Sequence, residues 1–362
     1  MKRTLILTLA AALAACPLTG CSGQPAAGNG SELSPSDASF SEEPQSEAAD
    51  PPSEGPSGEA DELSSEDTQQ ASGQSTSIFQ PFDTSGTIEE TTLVDNEYFT
   101  LVANGLSYKN NNAVLSVTVT NNSDIPITVM SNTLAYSCNY INDWMVTDGG
   151  MHCDVEPGAT ETDEMIFSTG TLMLYGIHGI GELGLGINAD DDDYNEIFRD
   201  CVSLRTSLYD AYKSGELQSA SFEDPILNLY GLTADYSSDD TLFDQGGVAV
   251  VSEKMVSKDD GSVLMLEVAN NNDSLVGVQI SDVFVNGELA CEGTWVSGYL
   301  AANKKRMIDF DYSSLAAYRN SGDSEDEEDP SFGAIEATDF SISVVDGDMN
   351  TLVPPSEIKL AF

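Results

Sequence analysis

Two stretches of the chain alternate apolar and polar positions in the same phase. One reads VLSVTVTNNSDIPITV (114–129) and the other VLMLEVANNNDSLVGV (263–278). Leu115, Val117 and Val119 match Leu264, Leu266 and Val268. Asn121-Asn122-Ser123-Asp124 matches Asn270-Asn271-Asn272-Asp273, and Ile127 and Val129 match Val276 and Val278, at a constant offset of 149 residues. Period-two alternation rich in Val, Leu and Thr predicts half-buried antiparallel strands. The Asn-Asn-x-Asp cluster predicts a turn, because Asn and Asp tolerate left-handed backbone and hydrogen-bond their own chain. Further alternating runs follow in each half, LGLGI from Leu183 and FSISV from Phe340. Each leads into an acidic loop and a short closing strand, VSL from Val202 and IKL from Ile358. Each half also carries one tryptophan, Trp144 and Trp295, at similar repeat positions.

The repeat predicts two β-rich units, and internal self-similarity is read before anything else. Seven or eight short strands in roughly 110 residues suit an immunoglobulin-like sandwich. The expected fold is therefore all-β: two tandem immunoglobulin-like β-sandwich domains, 93–210 and 243–362, after a disordered N-terminal linker. Residues 211–242 are expected to link the two. A short helix is expected over 207–215 and connecting chain over 218–240. The acidic insertion SGDSEDEEDP (321–330) is expected as a surface loop.

The amino end has a different pattern. Lys2 and Arg3 precede an apolar run from Leu5 to Ala15, shorter than the roughly 20 residues that span a bilayer. Small residues follow, so 1–20 reads as a secretory signal peptide. Leu18-Thr19-Gly20-Cys21 resembles the lipobox of bacterial lipoproteins. That resemblance implies cleavage before Cys21 and a diacylglyceryl thioether on its sulfur. Two or more acyl chains, at about 0.8 kcal/mol per buried CH₂, anchor stably where one is marginal. The segment 21–92 is expected to be a disordered acidic linker. No Lys or Arg occurs from Thr4 to Tyr108, and Leu33, Phe40 and Leu63 are the only large apolar residues over 22–77. Such a composition does not bury enough surface to offset its ordering entropy. A coil of ~55 residues spans about 40 Å.

VTVTNNSD, HCDVEPGAT and LGLGINADDDDYNEIF, closing on VSLRTS, resemble a group of uncharacterised surface lipoproteins of Gram-positive-type bacteria, which carry single or tandem Ig-like domains after a lipobox and polar linker. The resemblance covers Cys21 and most of 96–362, and is weaker in the second copy, where the acidic loop shortens to VDGDMN. It implies an all-β, surface-anchored protein on the extracellular face of the membrane and supplies no catalytic residues.

Charge narrows the partners. Thirteen basic residues against 61 acidic give a formal net charge of −48. That field repels nucleic acid and anionic headgroups, so no nucleic-acid partner is expected. Of six cysteines, Cys138, Cys153, Cys201 and Cys291 lie in the expected domains. Outside the cytosol disulfides are permitted. Cys138 and Cys153, fifteen residues apart, suit a cross-hairpin pair or two free buried thiols, and Cys138 to Cys201 has a plausible span for a bridge. Trp144 lies too close to Cys138 for the antibody-domain pattern.

Several motifs suggest chemistry. Gly179-x-Gly181-x-x-Gly184 spells a dinucleotide fingerprint, but it runs into the strand-like GLGIN, whereas the chemistry needs a helix N-terminus. Asp346, Asp348, Asn350 and Glu357 sit at positions 1, 3, 5 and 12 of a calcium-loop pattern, with Thr351 in place of the required glycine. Four adjacent carboxylates, Asp190 to Asp193, are the better candidate for weak Ca²⁺ binding, against a purely solvated loop. His152 and His178 are the only histidines, and no G-x-S-x-G occurs. Trp144 and Trp295 suit either the core or an exposed binding hot spot. No catalytic residue, cofactor or metal site is expected, and Cys21 is the one assigned site, for lipidation. The expected function is a non-catalytic binding module for an envelope protein or glycan, with membrane attachment through Cys21. The alternatives are a structural spacer without a specific ligand, or an extracellular hydrolase.

Overall fold

In the computed structural model the described residues are 80–131, 139–258, 261–320 and 331–362. Cys21, the signal segment, the acidic tether, Cys138 and the acidic insertion lie outside them. Within the described residues the chain is mostly strand, with four short helices.

The first repeat packs two four-stranded antiparallel layers. One has the order β1 (Thr91–Asp95), β2 (Phe99–Lys109), β3 (Asn112–Asn121), β8 (Thr160–Ser168). The other runs β10 (Glu196–Arg205), β9 (Glu182–Asp191), β4 (Ile127–Ser131), β7 (Met151–Val155). Alternate residues of both layers, among them Phe99, Leu115, Val117, Val129, Leu185 and Ile187, fill one core. The second repeat uses the same pairings. β13 (Val248–Lys258), β14 (Gly261–Asn270) and β17 (Lys305–Asp311) correspond to β2, β3 and β8, with β11 (Thr233–Ser238) and β12 (Phe243–Gln245) on the outer side of β13. β16 (Glu288–Leu300), β15 (Val276–Val285), β18 (Ala337–Asp346) and β19 (Thr351–Ala361) correspond to β7, β4, β9 and β10. Their facing residues, including Leu264, Leu266, Val278, Phe310, Phe340 and Ile342, form a second core.

Matching turns explain why the repeat survives in sequence. Asn121, 1% exposed, donates through Nδ2 to the carbonyls of Ile125 and Val155, both at 2.8 Å, and its Oδ1 accepts from Ser123 N. Asn270, also 1% exposed, donates to the carbonyls of Ser274, Leu300 and Ala301 and accepts from Asn272 N. Each asparagine satisfies backbone groups where a strand leaves its layer, and an apolar residue there would leave them unpaired.

The two repeats share one continuous sheet. β4 covers only the second half of β9, so the short hairpin β5 (Tyr140–Ile141) and β6 (Trp144–Met145) pairs with the remaining half, Ile141 opposite Leu183. β6 then pairs in parallel with β17, Trp144 opposite Lys305, and the joined sheet has eleven strands.

Residues 211–242, expected as a linker, are built into this junction. The expected helix forms as α2 (Tyr209–Ser214), and α1 (Thr169–Leu174) follows β8. α3 (Asp224–Tyr230) carries Pro225 in its first turn and is capped by left-handed Gly231, the usual helix punctuation. Phe222, Ile226, Leu227 and Leu232 are buried with the first core and meet Val256, Met265 and Met307 from the outer face of the second repeat's sheet. The segment is a wedge because its apolar residues have two faces to cover.

The last part of 21–92 is also fixed, contrary to a disordered linker reaching Thr92. Asp83 N donates to His178 O at 2.6 Å, Thr87 and Ser207 exchange hydrogen bonds, and Phe82 and Ile88 pack on the core. The Cys138–Cys153 pair is not formed, since Cys153 is a free buried thiol, as is Cys291, while Cys201 is disulfide-bonded. Burial pushes the Cys153 thiol up to about 11, helped by nearby Asp163, Glu161 and Asp154. No helix of the described residues is long and apolar enough to cross a membrane.

Candidate functional site

The acidic hairpin tip closes on itself. Asp191 Oδ1 accepts from the backbone of Asp193 (2.9 Å) and Asn195 (2.8 Å), and both its oxygens accept from Asn195 Nδ2. These hydrogen bonds hold Asp191 below the usual carboxylate range. Asp346 repeats the arrangement with Asp348 and Asn350, with the same effect. The D-x-D-x-N spacing is thus a turn signature in both copies. Among the described residues no group of three His, Cys, Asp or Glu is arranged to hold a metal ion.

The glycine motif is a packing device. It enters β9 with no helix after it. A side chain at Gly181 would overlap the Tyr212 ring, and one at Gly184 the Tyr140 ring. The glycines let two aromatic rings lie flat on the strand.

The tryptophans, expected at similar repeat positions, sit in different places. Trp144 lies in the bridging β6, 6% exposed and stacked on Tyr175 at 5.3 Å. Trp295 lies in β16, half-buried, edge-on to Tyr318 at 5.6 Å. Trp144 borders a concave site.

That site is a cleft of about 330 Å³ at the junction. Its floor is the outer face of the second repeat's sheet. Ser252 and Lys254 come from β13 and Glu267 from β14, directly opposite Ser252 in register. Lys305 comes from the start of β17. One wall is the wedge, from Gln218 to Ser221, with Gly176. Asp143 and Trp144 close one end, and Asp239 stands at the rim. A register shift between Val250 and Ser252 marks a bulge at Val251 in the floor. Bulges re-aim side chains and are common beside functional sites.

Its charges are interlocked. Lys305 Nζ donates to Glu267 Oε1 at 2.8 Å, and Ser221 Oγ donates to Glu267 Oε2 at 3.1 Å. Lys254 Nζ donates to Ser221 O at 2.6 Å. Tyr212 donates to Asp143 Oδ1 at 2.6 Å and Gln218 to Oδ2 at 3.3 Å. Burial, together with the bond to Asp143, raises the Tyr212 phenol above its ordinary value. Beside the cleft, Lys304 lies 3.7 Å above the Tyr140 ring and 3.8 Å from Glu182, and burial lowers its ammonium pKa.

Ser219, on the cleft wall, is 3.0 Å from His178 Nε2. Its hydroxyl also lies 3.1 Å from Ala220 O, a second acceptor within reach. Burial lowers the His178 pKa, opposed by a hydrogen bond to the Gln80 backbone and by Glu223. His152 is remote from this site and lies on the surface, 3.3 Å from Asp154.

Sequence reasoning missed the cleft because its residues come from both repeats and the intervening segment. A readable signal was the Pro225 to Gly231 helix punctuation.

No family model and no curated protein matches the chain. Among solved structures, an exo-β-D-glucosaminidase is 13% identical over 69% of this chain and 26% of its own, with a TM-score of 0.19. The exo-chitosanase of Amycolatopsis orientalis gives the same identity and coverage with a TM-score of 0.18. Red sea bream transglutaminase is 8% identical over 76% of this chain and 31% of its own, with a TM-score of 0.17. The chain spans about a quarter to a third of these proteins, and similarity at this level carries no argument about fold or function.

Proposed function

We propose that the chain is a non-catalytic binding protein of the bacterial cell surface, lipid-anchored at Cys21 and built from two immunoglobulin-like sandwiches. The observation that carries the binding reading is the cleft. It is concave, polar and formed where two packed units meet, which is where small-ligand sites concentrate. The non-catalytic reading is supported by the interlocked charges, with Glu267 held by Lys305 and Ser221 and Lys254 held by Ser221 O. The disulfide at Cys201 suits an oxidising compartment.

Two measurements test this reading. Cys21→Ala should move the expressed protein from the membrane fraction to the soluble fraction; unchanged membrane retention sinks the anchor. The thermal unfolding of the full chain should rise, saturably, with solubilised envelope polysaccharide or with purified envelope protein. A ligand at 100 times its Kd stabilises by about 2.7 kcal/mol. No shift with either fraction removes the binding reading and leaves the spacer.

A further inference from the structure

We infer that the cleft is built for a neutral, hydroxyl-rich ring ligand, one or two sugar rings of a glycan; this rests on the binding reading above. Four observations carry it.

The first is size. About 330 Å³ holds on the order of ten water volumes, room for a small ring compound and too little for a folded partner. The second is polarity. Trp144, Val251 and Ala220 are the only sizeable apolar contributors, so the lining does not suit an apolar ligand. The third is the mixture of charge. An anion entering the cleft meets Asp143, Asp239 and Glu267, and a cation meets Lys254 and Lys305. A neutral ligand carrying both donors and acceptors avoids both repulsions. Hydroxyl groups, each donor and acceptor at once, match such a surface.

The fourth is unused hydrogen-bonding capacity. Ser252 is 9% exposed, lines the cleft, and its hydroxyl has no partner among the described residues. Opposite it, each Glu267 oxygen holds one hydrogen bond and retains a free lone pair. Lys254 uses one of its three donors. The Ser252 hydroxyl is open to an occupant of the cleft, either water or a ligand. The bulge at Val251 is the local feature that turns Ser252 and Lys254 into the cleft together.

The test is calorimetric titration of the full chain with glucose, galactose, maltose, cellobiose and N,N′-diacetylchitobiose, with citrate and putrescine as charged controls. At least one neutral sugar should bind saturably while neither charged control does. Ser252→Leu places bulk in the cleft and should weaken that sugar at least roughly tenfold. Asp239→Ala, at the exposed rim, should weaken it a few-fold with unfolding temperature unchanged, which guards against misfolding as the cause. Sugar binding that survives both substitutions overturns the assignment to this cleft. Binding of citrate or putrescine in place of the sugars overturns the neutral class. Binding of an envelope fraction with no response to any sugar overturns this inference and leaves the binding reading standing. Silence in both experiments overturns both.

Discussion

β3 and β14 occupy the same place in the two repeats, yet their outer faces differ. In β3 the outward residues are Ser116, Thr118 and Thr120, and burial alternates along the strand. In β14 the same positions, 149 residues on, are Met265, Glu267 and Ala269, and every residue from Leu264 to Asn270 is buried. The inner faces match, Leu-Val-Val against Leu-Leu-Val. The first repeat's outer face looks into water, whereas the second's is covered by the wedge and the bridging hairpin. The cleft lies where that cover ends. In this protein the repeated half of each strand makes a sandwich, and the unrepeated half makes the joint and the candidate site.

The joint is the most sensitive place to break the comparison. Trp144→Ala removes a buried ring stacked on Tyr175 and disturbs the strand that joins the two sheets. A loss of about 3–5 kcal/mol is expected, as for a buried large-to-small change. By calorimetry the native chain is expected to unfold in one transition and the variant in two. A single, merely lowered transition would mean the sandwiches are coupled by the wedge alone.

Equivalence of the repeats is tested at the paired asparagines. Asn121→Ala and Asn270→Ala each leave buried carbonyls unpaired, at about 1–3 kcal/mol. Denaturant midpoints should fall by similar amounts in the two variants. A loss confined to one would show that the shared turn does not carry equal weight in the two copies.

The smallest effect sharpens the contrast between outer faces. Glu164 on β8 is exposed and paired with Lys109 at 2.8 Å. Its repeat counterpart on β17, Asp309, is covered, and burial pushes its carboxyl up to about 6, with Asp311 adding to the rise. A folded-state pKa above the unfolded one means the native state binds the proton more tightly. Stability should therefore fall as pH rises from about 4 to 6, through at most about 2–3 kcal/mol. Asp309→Asn should flatten that slope and raise the unfolding temperature at pH 7.5. An unchanged slope would place the titration elsewhere.

The apolar inner faces and the Asn-Asn-x-Asp turns were legible because each is a local pattern of period two with its own turn chemistry. So, in outline, was the short helix over 207–215. The Met-Glu-Ala substitution on β14 also lay in plain view, and it marks a strand covered on both faces. The wedge was harder, since Phe222, Ile226, Leu227 and Leu232 are too few and too close for a helical period to stand out.

By itself the sequence determined a mostly-β chain with a twofold repeat, its turns, and a strongly acidic balance. Those follow from local periodicity, from side-chain chemistry within a few residues, and from summed charge. Only the tertiary structure decided that 211–242 is a wedge, that β5 and β6 join two sheets, and that Ser252, Glu267, Lys305 and Asp143 face one cleft. These residues are far apart in the chain and carry no mutual spacing. What brings them together is the burial of an outer sheet face that one repeat keeps polar and the other does not.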